Sequence, residues 1–176
     1  IDGVHIQGVE VAPLVEAELD RRHPERAALR ATDPFELQAG WVALGAMWEA
    51  TLERVAAMAP GTEDASVDGE WSVVQTLRHL LLATDAWLGV AILRRERPYH
   101  PLGLLFSSYM GREAEYGLDP DASPTFADVL EARAGRRAMV SEFLAEATPE
   151  RLAERRPDPW GGDWQPTVLD CVQVIF

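Results

Sequence analysis

The stretch EWSVVQTLRHLLLATDAWLGVAIL, residues 70–93, decides the fold of this chain. Ser72 followed by Gln75 forms an S-x-x-Q capping box, a pattern with which many helices begin. After this start, apolar residues recur at steps of three and four, which predicts a helix with a wide apolar face. These residues are Val73, Val74, Leu77, Leu80, Leu81, Trp87, Leu88 and Ile92. His79 lies beside that face, as either a half-buried structural residue or a ligand aimed into a cavity.

Three other segments carry helix-start signals. Asp33 opens a helix predicted to end near residue 58, and its Trp41 and Trp48 are interpreted as core residues. Thr125 opens a helix predicted over residues 126–147, whose arginine- and glutamate-rich face is interpreted as solvated surface. Thr167 opens a fourth helix that stops after about ten residues, so we expect this helix to be incomplete because bundle helices match their partners in length.

The first ten residues contain two copies of the pattern I-x-G-V-x, IDGVH and IQGVE. The pattern is compatible with the coils of a repeat solenoid, but two copies are too few for such a structure to stand alone. A β-hairpin with its turn at Gln7-Gly8 is therefore favoured. We predict a short β-like segment over residues 1–12, followed by a helical bundle over residues 13–176.

Residues 98–124 form a long link rich in proline, glycine and tyrosine. Links of this length are usually functional or disordered, and the many apolar residues of this one predict that it packs, over a pocket mouth. His100, between Tyr99 and Pro101, is either a pocket residue or the cap of a helix end.

The composition excludes several classes of partner. The formal net charge is −13, which disfavours nucleic acids and anionic membrane surfaces. No segment has the roughly 20 apolar residues that a spanning helix needs. The single cysteine, Cys171, excludes an internal disulfide and cysteine-cluster zinc sites, and a cytoplasmic location is predicted. All 16 basic residues are arginine, a composition that suggests a GC-rich bacterial genome.

The pattern E-W-S-x-x-x-x-L-x-H-L at residues 70–80, followed by Trp87, resembles the DinB superfamily. Residues 9–26 and 99–104 make the resemblance closest to an actinobacterial branch of that superfamily. The resemblance implies an all-α fold, a four-helix bundle with a long crossover between helices 2 and 3. The link over residues 98–124 has the length and position of that crossover.

The resemblance also implies a divalent metal, zinc or nickel, held by three histidines. His79 matches the ligand on the second helix, but the H-x-x-x-H pattern of the fourth helix is absent from residues 167–176. Gln173 lies where an inner-face histidine is expected, and glutamine is a poor ligand for these metals. His100 and Trp87 are predicted to bind a cofactor near the pocket, and Asp85 to orient a ligand.

Two functions of different classes follow. The first is a metal-dependent enzyme that acts with a low-molecular-weight thiol, by S-transfer or isomerisation, as the resemblance implies. The second is a non-catalytic bundle that binds a small molecule or forms a homodimer, with the metal site degraded. A helical domain of a larger repeat protein is a third reading of the N-terminal repeats. Cys171 is interpreted as a buried, unreactive residue.

Overall fold

The structure is a computed structural model that describes residues 3–106 and 109–176. It is mostly helical, with one small antiparallel sheet near the start, which confirms the predicted all-α class. The elements are β1 (His5–Ile6), β2 (Val9–Glu10), α1 (Ala12–Arg22), α2 (Glu25–Leu29), α3 (Pro34–Ala56), α4 (Val73–Thr84), α5 (Phe126–Ala145), α6 (Pro149–Ala153) and α7 (Val168–Ile175). Short 3₁₀ turns lie at Thr62–Asp64 and Glu113–Tyr116.

The N-terminal strands form the predicted hairpin. Ile6 of β1 pairs with Val9 of β2, and the two residues between them turn the chain. Gln7 and Gly8 have φ angles of 52° and 80°, the left-handed values that a two-residue hairpin turn of type I′ requires.

The capping signals in the sequence mark the helix starts correctly. The Ser72 hydroxyl accepts the backbone N–H of Gln75, and the Gln75 side chain accepts the backbone N–H of Ser72 in return. The same reciprocal arrangement begins α5 at Thr125 and α7 at Thr167. Asp33 caps α3 by accepting backbone N–H groups of its first turn. Local chemistry therefore fixes where the main helices begin.

The helix that begins with α4 changes its pitch midway, which the sequence pattern did not predict. The α-helix ends at Thr84, and Asp85–Ile92 continues it as a π-helix. The Leu93 N–H, for example, donates to the carbonyl five residues earlier, at 2.9 Å. The change begins where the buried Asp85 carboxylate is held by groups of other elements, and π segments are frequent at functional sites.

Helices α3, α5, α4 with its π segment, and α7 pack side by side as a four-helix bundle. The main core joins α3, the π segment, α5 and α7, and Leu37, Leu88 and Val172 are fully buried in it. Across the described parts of the chain, no helix combines the length and the apolar character that crossing a bilayer requires.

The described residues of the 98–124 link pack along the outside of α4, as the prediction of a packed crossover requires. The Arg78 Nε donates to the Leu102 carbonyl at 2.8 Å, and the Leu104 N–H donates to the Arg78 carbonyl at 3.3 Å. Leu105 and Leu118 bury themselves against Leu82 of α4. The crossover is thus attached to the helix by polar and apolar contacts together.

Candidate ligand-binding site

A partly open cavity of about 100 Å³ lies between α3, α4, α5 and the C-terminal end of α7. Its lining combines aromatic, aliphatic and cationic side chains. It consists of Trp41, Leu44, Gly45, Trp48, Leu80, Ala83, Thr84, Arg133, Arg136, Arg137, Val174, Ile175 and Phe176. No described residue of the crossover contributes to this lining, so the predicted cover over a pocket mouth is not at this cavity.

Three arginines of α5 share the cavity wall, because Arg136 and Arg137 both lie about one helical turn from Arg133. Arg136 is paired with Asp85, with its Nε 2.6 Å from Oδ1. Arg137 lies 3.4 Å from the exposed carboxylate of Glu49. For Arg133 the described residues provide neither an ion pair nor a side-chain hydrogen bond.

Arg133 is partly buried without a described anionic partner, and this environment changes its pKa. Burial, followed by the positive charge of Arg137, lowers the pKa of Arg133 to about 10. An arginine with that pKa is still protonated at neutral pH, so the cavity wall carries a positive charge that described carboxylates leave unneutralised.

Aromatic rings form the opposite part of the wall. The Arg133 guanidinium lies over the Trp48 ring, 5.2 Å from its centroid, in a cation–π contact. The rings of Trp41 and Phe176 are tilted against each other with centroids 5.4 Å apart. Gly45 of α3 leaves room for the Arg137 guanidinium, whose Nη2 would lie 2.6 Å from a Cβ added at this glycine.

A buried ion pair connects the cavity to the crossover. The Asp85 side chain is 1% exposed, and its carboxylate binds the Arg136 guanidinium with both oxygens, at 2.6 and 3.2 Å. Asp85 also accepts the backbone N–H of His100 at 2.8 Å, and Arg136 donates to the Pro98 carbonyl at 3.4 Å. Asp85 therefore positions an arginine and the start of the crossover, and these contacts do not involve His79.

His79 is half-buried and faces the crossover instead of the cavity. Its Nδ1 lies 3.1 Å from the Leu104 carbonyl, and its ring lies near those of Trp71 and Phe106, with centroids 4.8 and 6.1 Å away. Since a carbonyl only accepts, Nδ1 carries a proton, and in the neutral ring Nε2 then has the lone pair.

His100 and Trp87, the predicted cofactor-binding residues, occupy two further places. The His100 Nδ1 accepts the Leu102 N–H at 3.2 Å, so its Nε2 carries the proton in the neutral ring. Burial and the neighbouring Arg136 lower the pKa of His100. Trp87 is buried in the main core, with its ring edge-to-face with Trp164 at 5.6 Å. Neither residue lines the cavity.

The described residues do not provide the metal site that the resemblance implies. In residues 3–106 and 109–176, no three histidine, cysteine or carboxylate side chains come together as a ligand set. Gln173 is exposed and donates to the Ala31 carbonyl at 3.4 Å, which corrects its predicted inner-face position. Cys171 is buried as predicted, and burial raises the pKa of its thiol to about 11.

The arginines of the cavity are the residues that sequence reasoning missed. Their spacing, R-x-x-R-R at residues 133–137, was compatible with a solvated helix face, which is the usual location of arginine. Trp41 and Trp48 do pack against the core clusters, as predicted, but they also line the cavity. Two tryptophans seven residues apart on α3 and three arginines within five residues on α5 are the sequence features that contribute to this site.

The fold and the cavity define a four-helix bundle with a long crossover and a pocket between its helices. The family model of the DinB superfamily matches residues 10–176, and the chain belongs to this superfamily. No curated protein and no solved structure matches the chain.

Proposed function

We propose that this member of the DinB superfamily binds a small molecule in the cavity between its helices. The supporting observation is the cavity itself, which lies between four helices and combines aromatic walls with a few charged groups. Helical bundles build their ligand sites between facing helices, and small-molecule pockets are mostly apolar with few polar groups for orientation. This is the non-catalytic alternative predicted from the sequence.

Narrowing the cavity tests this proposal. Ala83→Leu adds volume at a lining position, and Ala127→Leu makes the same change on the exposed surface of α5. Saturation-transfer NMR with charged and neutral fragments no larger than benzoate reports binding to the wild-type chain. We expect Ala83→Leu to abolish the signals that Ala127→Leu leaves intact, and circular dichroism to show both variants folded.

Leu80→Phe narrows the cavity at a second lining position and serves if Ala83→Leu does not fold. Fragment binding that survives both narrowing variants would place the bound molecules elsewhere, and the proposal would be wrong. The absence of any bound fragment in the wild-type chain would refute it equally.

A metal-dependent reaction with a low-molecular-weight thiol is the second candidate. One observation favours it: the Nδ1–H of His79 is held by a backbone carbonyl, the arrangement that usually orients a metal-ligating histidine through Nε2. Such a metal would lower the pKa of a bound thiol. Within residues 3–106 and 109–176, no second and third ligand complete a site around His79.

Elemental analysis of chelator-free protein separates the two candidates. One equivalent of zinc or nickel that is lost in His79→Ala would support the metal-dependent enzyme. If neither protein contains metal after incubation with divalent ions, small-molecule binding would be the candidate function that remains. The cytoplasmic location and the homodimer stay predictions from the sequence.

A further inference from the structure

The charge of the cavity points to the class of molecule that it binds. We propose that the ligand is a small organic monoanion, a carboxylate with an apolar body, whose carboxylate binds Arg133 and Arg137. This inference rests on the proposed function, because it assumes that the cavity is a binding site. Three features of the cavity support it: the placement of the arginines, the number of charges left unneutralised, and the shape.

The first step is the placement of the arginines. The chain has 16 basic and 29 acidic residues, and yet three of its arginines line this one cavity. Among the described lining residues there is no aspartate or glutamate. Like charges one helical turn apart repel each other, so this grouping carries a cost that an anionic ligand would remove.

The second step is the number of charges that remain. The Asp85 carboxylate neutralises Arg136 inside the protein, and Glu49 partly neutralises Arg137 from the surface. The charge of Arg133 then faces the cavity with only the Trp48 ring against it. One unneutralised cation matches a monoanion, and the planar guanidinium matches a carboxylate in geometry.

The third step is the shape. A closed cavity of roughly 150 Å³ lined by apolar side chains accommodates benzene, so the 100 Å³ here holds a carboxylate and a short part of its carrier, and the rest of the ligand extends through the open side of the cavity. Trp41, Trp48 and Phe176 provide apolar surface beside the arginines. A ligand with a carboxylate at one end and a compact aromatic or branched body at the other satisfies both halves of the wall.

Matched pairs of probes test the inference by isothermal titration calorimetry. Benzoate is compared with benzamide, and butyrate with butyramide, since each pair differs in charge and hardly in shape. We expect the wild-type chain to bind each carboxylate at least tenfold more tightly than its amide. Arg133→Met should remove this preference, and Arg133→Lys should retain part of it.

Arg151→Met is the matched control, because Arg151 also lies over an aromatic ring, that of Phe143 at 5.0 Å, but outside the cavity. It should bind all probes as the wild-type chain does. Equal affinity for carboxylate and amide would overturn the inference while leaving the proposed function standing. Binding of neither pair would overturn both. Inorganic phosphate that binds more tightly than either carboxylate, and that depends on Arg133, would overturn the carboxylate assignment.

Discussion

Replacing Asp85 with asparagine removes a charge from the most buried ion pair of the bundle. The Asp85 side chain is 1% exposed and that of its partner Arg136 is 24% exposed. The introduced amide oxygen, at the position of Oδ2, can still accept the His100 N–H, while the amide NH2 replaces Oδ1, the acceptor of the Arg136 Nε–H. The Arg136 guanidinium keeps this amide oxygen and the Pro98 carbonyl as described acceptors of its Nη2, but it loses the acceptor of its Nε–H and its anion.

The expected cost follows from leaving a cation partly buried without its anion. Breaking a buried pair by removing one partner typically costs about 3–5 kcal/mol. Since Arg136 keeps some access to solvent, we take the lower end, about 3 kcal/mol of the free energy of unfolding. With a urea m value of about 2 kcal/mol per M, the unfolding midpoint falls by about 1.5 M.

Urea unfolding at pH 7, followed by circular dichroism, measures this change. The Asp85→Asn/Arg136→Met double variant removes both charges and should regain about 2 kcal/mol relative to the single variant. Glu115→Gln, which breaks the exposed Arg112–Glu115 pair, should leave the midpoint within error of the wild-type value. A midpoint for Asp85→Asn that matches this surface control, or a double variant less stable than the single one, would refute the reasoning.

Three further predictions concern single residues. Arg133→Met removes a cation whose pKa is lowered by burial from 12.5 to about 10. After allowing for solvent access and for the lost contact with Trp48, we expect the free energy of unfolding at pH 7 to rise by roughly 1 kcal/mol. A clear decrease of the urea midpoint would contradict the unpaired state of Arg133. Burial raises the pKa of the Cys171 thiol from 9.0 to about 11, so the stability this gives is complete below pH 9 and falls as the pH rises to 11. Iodoacetamide should label Cys171 at pH 8 only after unfolding, and rapid labelling of the native protein would contradict its burial. Burial and Arg136 lower the pKa of His100 below 6.5, so the contribution of the neutral ring to stability should be fully present above pH 6.5 and be lost at lower pH. His100→Asn keeps an acceptor for the Leu102 N–H and should flatten this pH dependence of stability. An unchanged pH profile would show that His100 does not cause it.

The predictions that depended on neighbouring residues in the chain were confirmed. The capping boxes at Ser72, Thr125 and Thr167 mark the first turns of α4, α5 and α7. The turn at Gln7-Gly8 closes the N-terminal hairpin. Each of these signals works over a few residues, and a single sequence contains all the atoms involved.

The candidate site was not predictable in the same way. The arginines of α5 line the cavity because α3 and α4 pack against α5, and sequence spacing on one helix cannot indicate which neighbours cover it. The π segment similarly begins at Asp85, whose partners lie 15 and 51 residues further along the chain. His79 was correctly placed beside the apolar face, but its Nδ1 contact with Leu104 depends on the path of the crossover.

The sequence by itself determined the helix starts, the hairpin, the helical class and the family, because caps, turns and apolar periodicity are local or cumulative along the chain. Only the tertiary structure decided which charges were neutralised. Asp85 pairs with Arg136, while Arg133 faces the cavity beside Trp48 without a described carboxylate partner. The physical reason is that burial and pairing depend on atoms brought together from distant segments, and these set the electrostatic free energy of a charge far more than its own residue type does.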